Sequence, residues 1–194
     1  MSSLSFFGVI LGSMRIAVFC SSSSAIDDKY VELAYELGQS IANTSNELVS
    51  GGGHISMMGA ISRGARDAGG RTIGVIPQAL VDIEFADHEN TELHIVDTMG
   101  ERKHMITKIS DAFITLPGGA GTLEEFFEIW VGNYLKFHSK PVVILDPFGI
   151  YNPLHELIIH LEEENFIKPG MREIIEWTTT VKDAIHACNS QVLN

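Results

Sequence analysis

DAFITLPGGAGTLEEFFEIW, residues Asp111 to Trp130, is the stretch that decides the fold. Its apolar run, Ala112 to Leu116, ends in Pro117, and Gly118, Gly119, Ala120 and Gly121 follow before Thr122 opens a long apolar segment with Glu124, Glu125 and Glu128 near its start. That order is strand, glycine turn, helix. The glycines let the main chain turn tightly and bring bare N–H groups close to a ligand, and the helix start adds unpaired N–H groups and a partial positive charge. The expected guest is an anion, most simply a phosphate. Thr122 with Glu125 three residues on also matches a capping box, in which Glu125 would only bond the Thr122 N–H. On this segment alone both readings stand.

Outward from it, strands and helices alternate. Arg15 to Cys20 reads as a strand, Tyr30 to Ala42 as a helix with Tyr30, Leu33, Leu37 and Ile41 on one face, and Glu47 to Ser50 as a second strand. Gly51, Gly52, Gly53 and His54 then lead into a helix from about Ile55 to Ala68, closed by Gly69 and Gly70. Arg71 to Ile76 and Leu93 to Val96 are further strands, and Met99 to Ser110 a helix. Beyond the central stretch come a strand at Pro141 to Leu145, a helix at Tyr151 to Asn165, a polar strand remnant from Trp177 and a last helix near Val181 to Cys188. Near-continuous apolar strands between helices predict an α/β fold, a Rossmann-like doubly wound parallel sheet flanked by helices in a single domain. Ligands in such sheets sit beyond the carboxyl ends of the strands, where both glycine loops and the long acidic segment Gln78 to Glu92 fall.

The 194 residues, 45% hydrophobic and 20% charged, suit one domain with a substantial core. A formal net charge of -12 argues against a nucleic-acid-binding face, so a phosphate site must be made locally attractive. Cys20 and Cys188 fit no metal spacing and suit a reducing, cytoplasmic setting. The apolar patch Phe6 to Leu11 lacks a basic flank and is too short to span a bilayer. Because the first strand follows Met14 directly, residues 1–13 are expected to be an appendage or an upstream start choice, and 14–194 the nucleotide-binding domain.

Three further motifs bear on chemistry. Gly51, Gly53 and Ser56 approximate a dinucleotide fingerprint with its third glycine replaced, but no acidic residue ends the next strand, so Gly52 and Gly53 are expected as a backbone wall for a smaller ligand. In MGERKHMI, Arg102 shares a helical stripe with Met105, Ile106 and Ile109 and points toward the core, where a guanidinium requires an anionic partner. An arginine reaching solvent or Asp111 is the bland alternative, and a solvated Lys103 is its counterpart. His155 and His160, five apart, miss the spacing that puts two metal ligands on one helical face. Phe126, Phe127, Trp130 and Tyr134 read as core or subunit interface, and Glu162, Glu163 and Glu164 as a solvated face.

With these residues in view, the chain from about Met14 to Ala184 resembles the LOG family of cytokinin riboside 5'-monophosphate phosphoribohydrolases, long described as lysine decarboxylases. The markers are PGGxGTxxE at Pro117 to Glu125, the RK pair Arg102 and Lys103, and the GGG loop Gly51 to Gly53 followed by Met57, Met58 and Gly59. The resemblance implies a dimeric or larger enzyme that releases a free base and ribose 5-phosphate from a nucleoside 5'-monophosphate. It implies that Arg102 and Glu125 are the catalytic pair and that Gly118, Gly119, Ala120, Gly121, Thr122, Leu123 and Glu124 bind phosphate and ribose. Lys103 and Glu84 are implied as further substrate ligands.

Several positions depart from the family pattern. Gly100 replaces a histidine, Ala120 an aromatic, Ser56 the glycine of GLMG, and Val131 and Gly132 a Thr-Trp pair. The phosphate end is kept and the base end altered. The expected chemistry needs no metal and no organic cofactor: a carboxylate under the anomeric carbon stabilises the developing positive charge and takes a proton from water. An AMP nucleosidase is a second enzymatic reading. The non-enzymatic rival is a carrier similar to the molybdenum-cofactor carrier proteins, which share the fold and glycine loop.

Overall fold

The structure is a computed structural model, and it describes residues 13–83 and 85–190. The expected appendage therefore lies, but for Ser13, outside the described residues, and so does Glu84.

Among the described residues, seven strands form one sheet: β1 (Arg15–Phe19), β2 (Glu47–Ser50), β3 (Thr72–Pro77), β4 (Glu92–Val96), β5 (Ala112–Thr115), β6 (Val142–Leu145) and β7 (Ile175–Thr178). All neighbours pair in parallel, in the order β4-β3-β2-β1-β5-β6-β7. Six helices cover it: α1 (Asp28–Asn43), α2 (Ser56–Asp67), α3 (Met99–Ile109), α4 (Ala120–Tyr134), α5 (Asn152–Glu163) and α6 (Val181–Ser190). The chain winds outward from β1 to β4, then starts again on the other side of β1 with β5. The crevice between the carboxyl ends of β1 and β5 is thus the switch point where such sheets hold ligands.

Alternation along each strand builds two cores. Ile16 and Val18 of β1 face Leu37 and Ile41 of α1, Ile61 of α2 and Ile185 of α6. Ala17 and Phe19 face the other way, toward Ile106 of α3, Phe126 and Trp130 of α4 and Ile158 of α5. Central strands buried on both faces explain runs such as VVIL at Val142–Leu145. Trp130 is 2% exposed, and its indole N–H donates to the Met171 carbonyl at 2.7 Å, so its one polar atom is satisfied inside the second core.

Two elements differ from the sequence expectation. The strand remnant at Trp177 is a full edge strand that begins at Ile175 and pairs with β6. Helix α4 begins at Ala120, with Gly119 as its cap residue, so Thr122 is already its third residue. Thr122 therefore does not cap the helix, and the expected Thr122–Glu125 box does not start it. A capping box of the same Thr-x-x-Glu form does start α3, where Thr98 Oγ1 accepts from Glu101 N at 3.1 Å and Glu101 Oε2 accepts from Thr98 N at 3.2 Å.

Candidate active site

The β5–α4 turn sets the site. No side chain caps α4 at Gly119, so the first-turn amides remain available to a ligand at the positive end of the helix dipole. A cavity of about 390 Å³ lies against this helix start, a size suited to a small ligand. Gly119, Ala120, Gly121, Thr122, Glu124 and Glu125 form one wall. Opposite are the loop after β1, with Ser21, Ser22 and Ser23, and the Gly51, Met58, Leu80, Met99 and Arg102 side.

Arg102 points inward, as its helical spacing indicates, and is 6% exposed. Its Nε donates to the Val75 carbonyl at 3.2 Å, its Nη1 approaches Met99 Sδ at 3.8 Å, and Nη1 lies 3.7 Å from Glu125 Oε1. The side chains of this ion pair are 8% and 12% exposed. Gly51 is what lets the guanidinium sit there, because a Cβ at that position would overlap Arg102 Nη2. Among the described residues Arg102 is the only cation lining the cleft, so local attraction for an anion comes from one guanidinium and a helix start.

Other expected site residues lie elsewhere. Lys103 does not line the cleft: its Nζ is bound by Glu124 and lies 2.6 Å from Glu128 Oε2. These carboxylates, with the Glu124 hydrogen bond the largest cause, hold its ammonium above the ordinary lysine range. Leu123 turns away and packs on the second core. Gly118 lines an adjoining apolar hollow with Ile26, Tyr30 and Ile150 that shares Ser21, Ser23 and Gly119 with the cleft, and a Cβ on it would overlap the Thr122 side chain.

Of the β2–α2 loop it is Gly51, and not the expected Gly52 and Gly53, that lines the cleft. Gly52 turns the chain with φ 75° and accepts Asp87 N at 2.8 Å, and Gly53 bridges Ala86. Both therefore anchor the long acidic loop. Asp87 completes that anchor: it is 2% exposed, and Arg66 Nη1 donates to its Oδ2 at 2.8 Å. Leu80 of the same loop reaches the cleft.

Ser21 to Ser23, Leu80 and Met99 line the cleft without having been expected there from the sequence. A polar loop after an apolar strand carries no chemical signal by itself; its relevance comes from β1 standing beside β5. The serine loop is fixed locally, with Ser21 Oγ accepting from Ser23 N at 3.1 Å and Ser56 Oγ donating to Ser23 O at 2.6 Å. No group of three His, Cys, Asp or Glu side chains is gathered for a metal among the described residues.

The fold and cleft thus define a Rossmann-like α/β protein with an uncapped helix start at its switch point. A family described as possible lysine decarboxylase matches residues 58–188. The chain is 45% identical over 179 residues to a cytokinin riboside 5'-monophosphate phosphoribohydrolase of Mycobacterium tuberculosis, covering 92% of this chain and 95% of the relative. It is 42% identical to another such phosphoribohydrolase, LOG3 of Arabidopsis thaliana, covering 88% and 80%. The chain belongs to the LOG family of phosphoribohydrolases. Its fold is also that of the molybdenum cofactor carrier protein from Chlamydomonas reinhardtii, with TM-score 0.72, 22% identity, and coverage of 94% and 99%; that likeness concerns the fold alone.

Proposed function

We propose that this chain is a phosphoribohydrolase that cleaves the N-glycosidic bond of a nucleoside 5'-monophosphate, either a cytokinin riboside 5'-monophosphate or AMP. The observation that carries this reading is the buried Arg102–Glu125 pair, 3.7 Å apart, one turn along the helix whose open start faces the same cleft. The 5'-phosphate sits on the amides of Gly119 to Thr122, so binding energy remote from the reacting bond positions the anomeric carbon over Glu125. As the C–N bond breaks, positive charge grows on that carbon and the Glu125 carboxylate stabilises it. Water adds to the carbon with its proton passing to Glu125, which hands it on to the ring nitrogen of the departing base, so the base leaves as the free, neutral purine and Glu125 returns to its carboxylate. Nucleotide and water thus yield base and ribose 5-phosphate. Arg102 orients Glu125 and meets the ligand's polar groups, while Lys103 braces Glu124 and Glu128 from outside.

Glu84 belongs to this proposal on the family resemblance alone. Exposed apolar side chains along α4, Phe127, Val131 and Leu135, support a homodimer. The buried thiols of Cys20 and Cys188 support a cytoplasmic setting. Residues 14–194 are read as one nucleotide-binding domain with residues 1–13 as an appendage. No helix among the described residues is long and apolar enough to cross a membrane.

The test is base release from AMP and from its N6-isopentenyl derivative, followed by chromatography for wild type and Glu125→Ala. Release by wild type and none by the variant is the expected result, and the substrate ratio reports the base pocket. A fully active Glu125→Ala would eliminate the assignment. Nucleotide binding without release would make the chain a carrier.

A further inference from the structure

Tyr151 stands outside the cleft, yet it holds the turn on which the cleft depends. It is 4% exposed, and its hydroxyl lies 3.0 Å from the Leu116 carbonyl and 3.2 Å from the Gly118 carbonyl, one on each side of Pro117. The phenol is itself fixed from behind. Asp146, at the end of β6, accepts Tyr151 N at 2.7 Å through Oδ2 and Phe148 N at 3.2 Å through Oδ1. The β6–α5 turn is thus folded around one carboxylate, and it delivers a single hydroxyl to the rear of the glycine turn.

Peptide geometry gives this contact a consequence in front. Among the described residues every peptide bond is trans, and in a trans peptide the C=O and the following N–H point in opposite directions. A Gly118 carbonyl held toward Tyr151 therefore sends the Gly119 N–H away from Tyr151, and Gly119 is a residue that lines the cleft. The same bond keeps two carbonyl oxygens turned from a site meant for an anion. Burial, the largest cause, holds the phenol well above the ordinary tyrosine range, so it remains a donor through neutral pH.

We infer that Tyr151 is a positioning residue for the anion cradle: by binding the Leu116 and Gly118 carbonyls it aims the α4 amides at the substrate's phosphate. The inference rests on the phosphoribohydrolase reading and adds a residue to it that touches no substrate.

Tyr151→Phe keeps the ring in its place and removes only the hydroxyl. Binding of ribose 5-phosphate is measured by calorimetry, AMP hydrolysis by base release, and folding by thermal melting. The expected result is a rise on the order of tenfold in Kd for ribose 5-phosphate and in KM for AMP, as befits the loss of one buried hydrogen-bonding group. kcat at saturating AMP should stay within about threefold, because Glu125 and Arg102 are untouched. A lowered melting temperature with unchanged Kd and KM would show a merely structural tyrosine and overturn the inference. If wild type binds neither ligand, the phosphoribohydrolase reading falls and this inference falls with it; wild-type binding matched by the variant sinks the inference alone. Should the variant fail to fold, the Gly119 amide of the nitrogen-15-labelled wild type must shift on titration with ribose 5-phosphate, and a resonance that stays fixed overturns the inference.

Discussion

The guanidinium of Arg102 lies against Gly51 so closely that a Cβ at residue 51 would overlap Nη2. Arg102 comes from α3 and Gly51 from the end of β2, and their contact leaves Arg102 Nη1 3.7 Å from Glu125 on α4. The position of the proposed catalytic pair is thus set by the absence of one side chain.

Gly51→Ala should consequently displace Arg102 by adding a single methyl to the cleft wall. Since misplacement by about 1 Å costs on the order of 100-fold in rate, kcat should fall about 10- to 100-fold. Steady-state base release is the measurement, with circular dichroism to show the fold intact. Unchanged kcat would show that Arg102 need not hold this position.

Lys103 bridges α3 to α4 through Glu124 and Glu128, side chains that are 53% and 45% exposed. Exposure and salt keep such a cluster weak. A double-mutant cycle of Lys103→Gln and Glu128→Gln in urea unfolding should give a coupling of about 0.5 to 1 kcal/mol, smaller in 1 M NaCl. If Lys103 instead meets substrate, Lys103→Gln raises KM while the coupling is absent.

Asp87 is the buried end of the Arg66 ion pair, with its side chain 1% exposed against 17% for Arg66. Removing one partner of such a pair strands the other charge. Asp87→Ala should cost roughly 3 kcal/mol in denaturant unfolding. Amide exchange at Ala86 and Asp87, whose N–H groups bond Val81 O and Gly52 O, should accelerate at the same time. Slow exchange in the variant would show that the loop is held by other contacts.

His138 sets an acid limit on stability. Burial, the largest cause, lowers its pKa below the ordinary 6.5, and the nearby Lys140 charge acts in the same direction, against the Ile129 carbonyl. The neutral ring donates from Nε2 to Ile129 O at 3.1 Å and accepts Lys140 N at Nδ1 at 3.2 Å. Protonation destroys that acceptor. A folded-state pKa below the unfolded one means the contribution is present above pH 6.5 and lost as pH falls through the folded value. Melting temperature should therefore fall below about pH 6.5, and His138→Gln should flatten that part of the profile; an equally steep profile in the variant would assign the acid sensitivity elsewhere.

The two Thr-x-x-Glu segments show how far local pattern reaches. Thr98–Glu101 closes into a capping box, whereas in Thr122–Glu125 the helix has already begun at Ala120, with Gly119 as its cap. The letters are the same at these positions. What differs is the glycine turn upstream, its carbonyls tied to a tyrosine from a later element. Helical spacing offered an inward Arg102 beside one reaching solvent or Asp111, and the packing of α3 decided for the inward one. Lys103 was not legible: its partners are one turn apart on another helix, and only the docking of α3 against α4 brings them together.

By itself the sequence determined the alternation of strand and helix, the parallel sheet and the glycine turn after β5, and it offered the inward arginine as one of two readings. These follow from periodicity, backbone permissiveness and the cost of burying charge, all of which act over a few residues. Only the tertiary structure decided that the β1 serine loop faces the cradle, that Gly51 rather than Gly52 or Gly53 borders it, and that Tyr151 supports it from behind. Those relations join residues far apart in the chain, and their geometry is fixed by strand order and by the packing of helices on the two faces of the sheet.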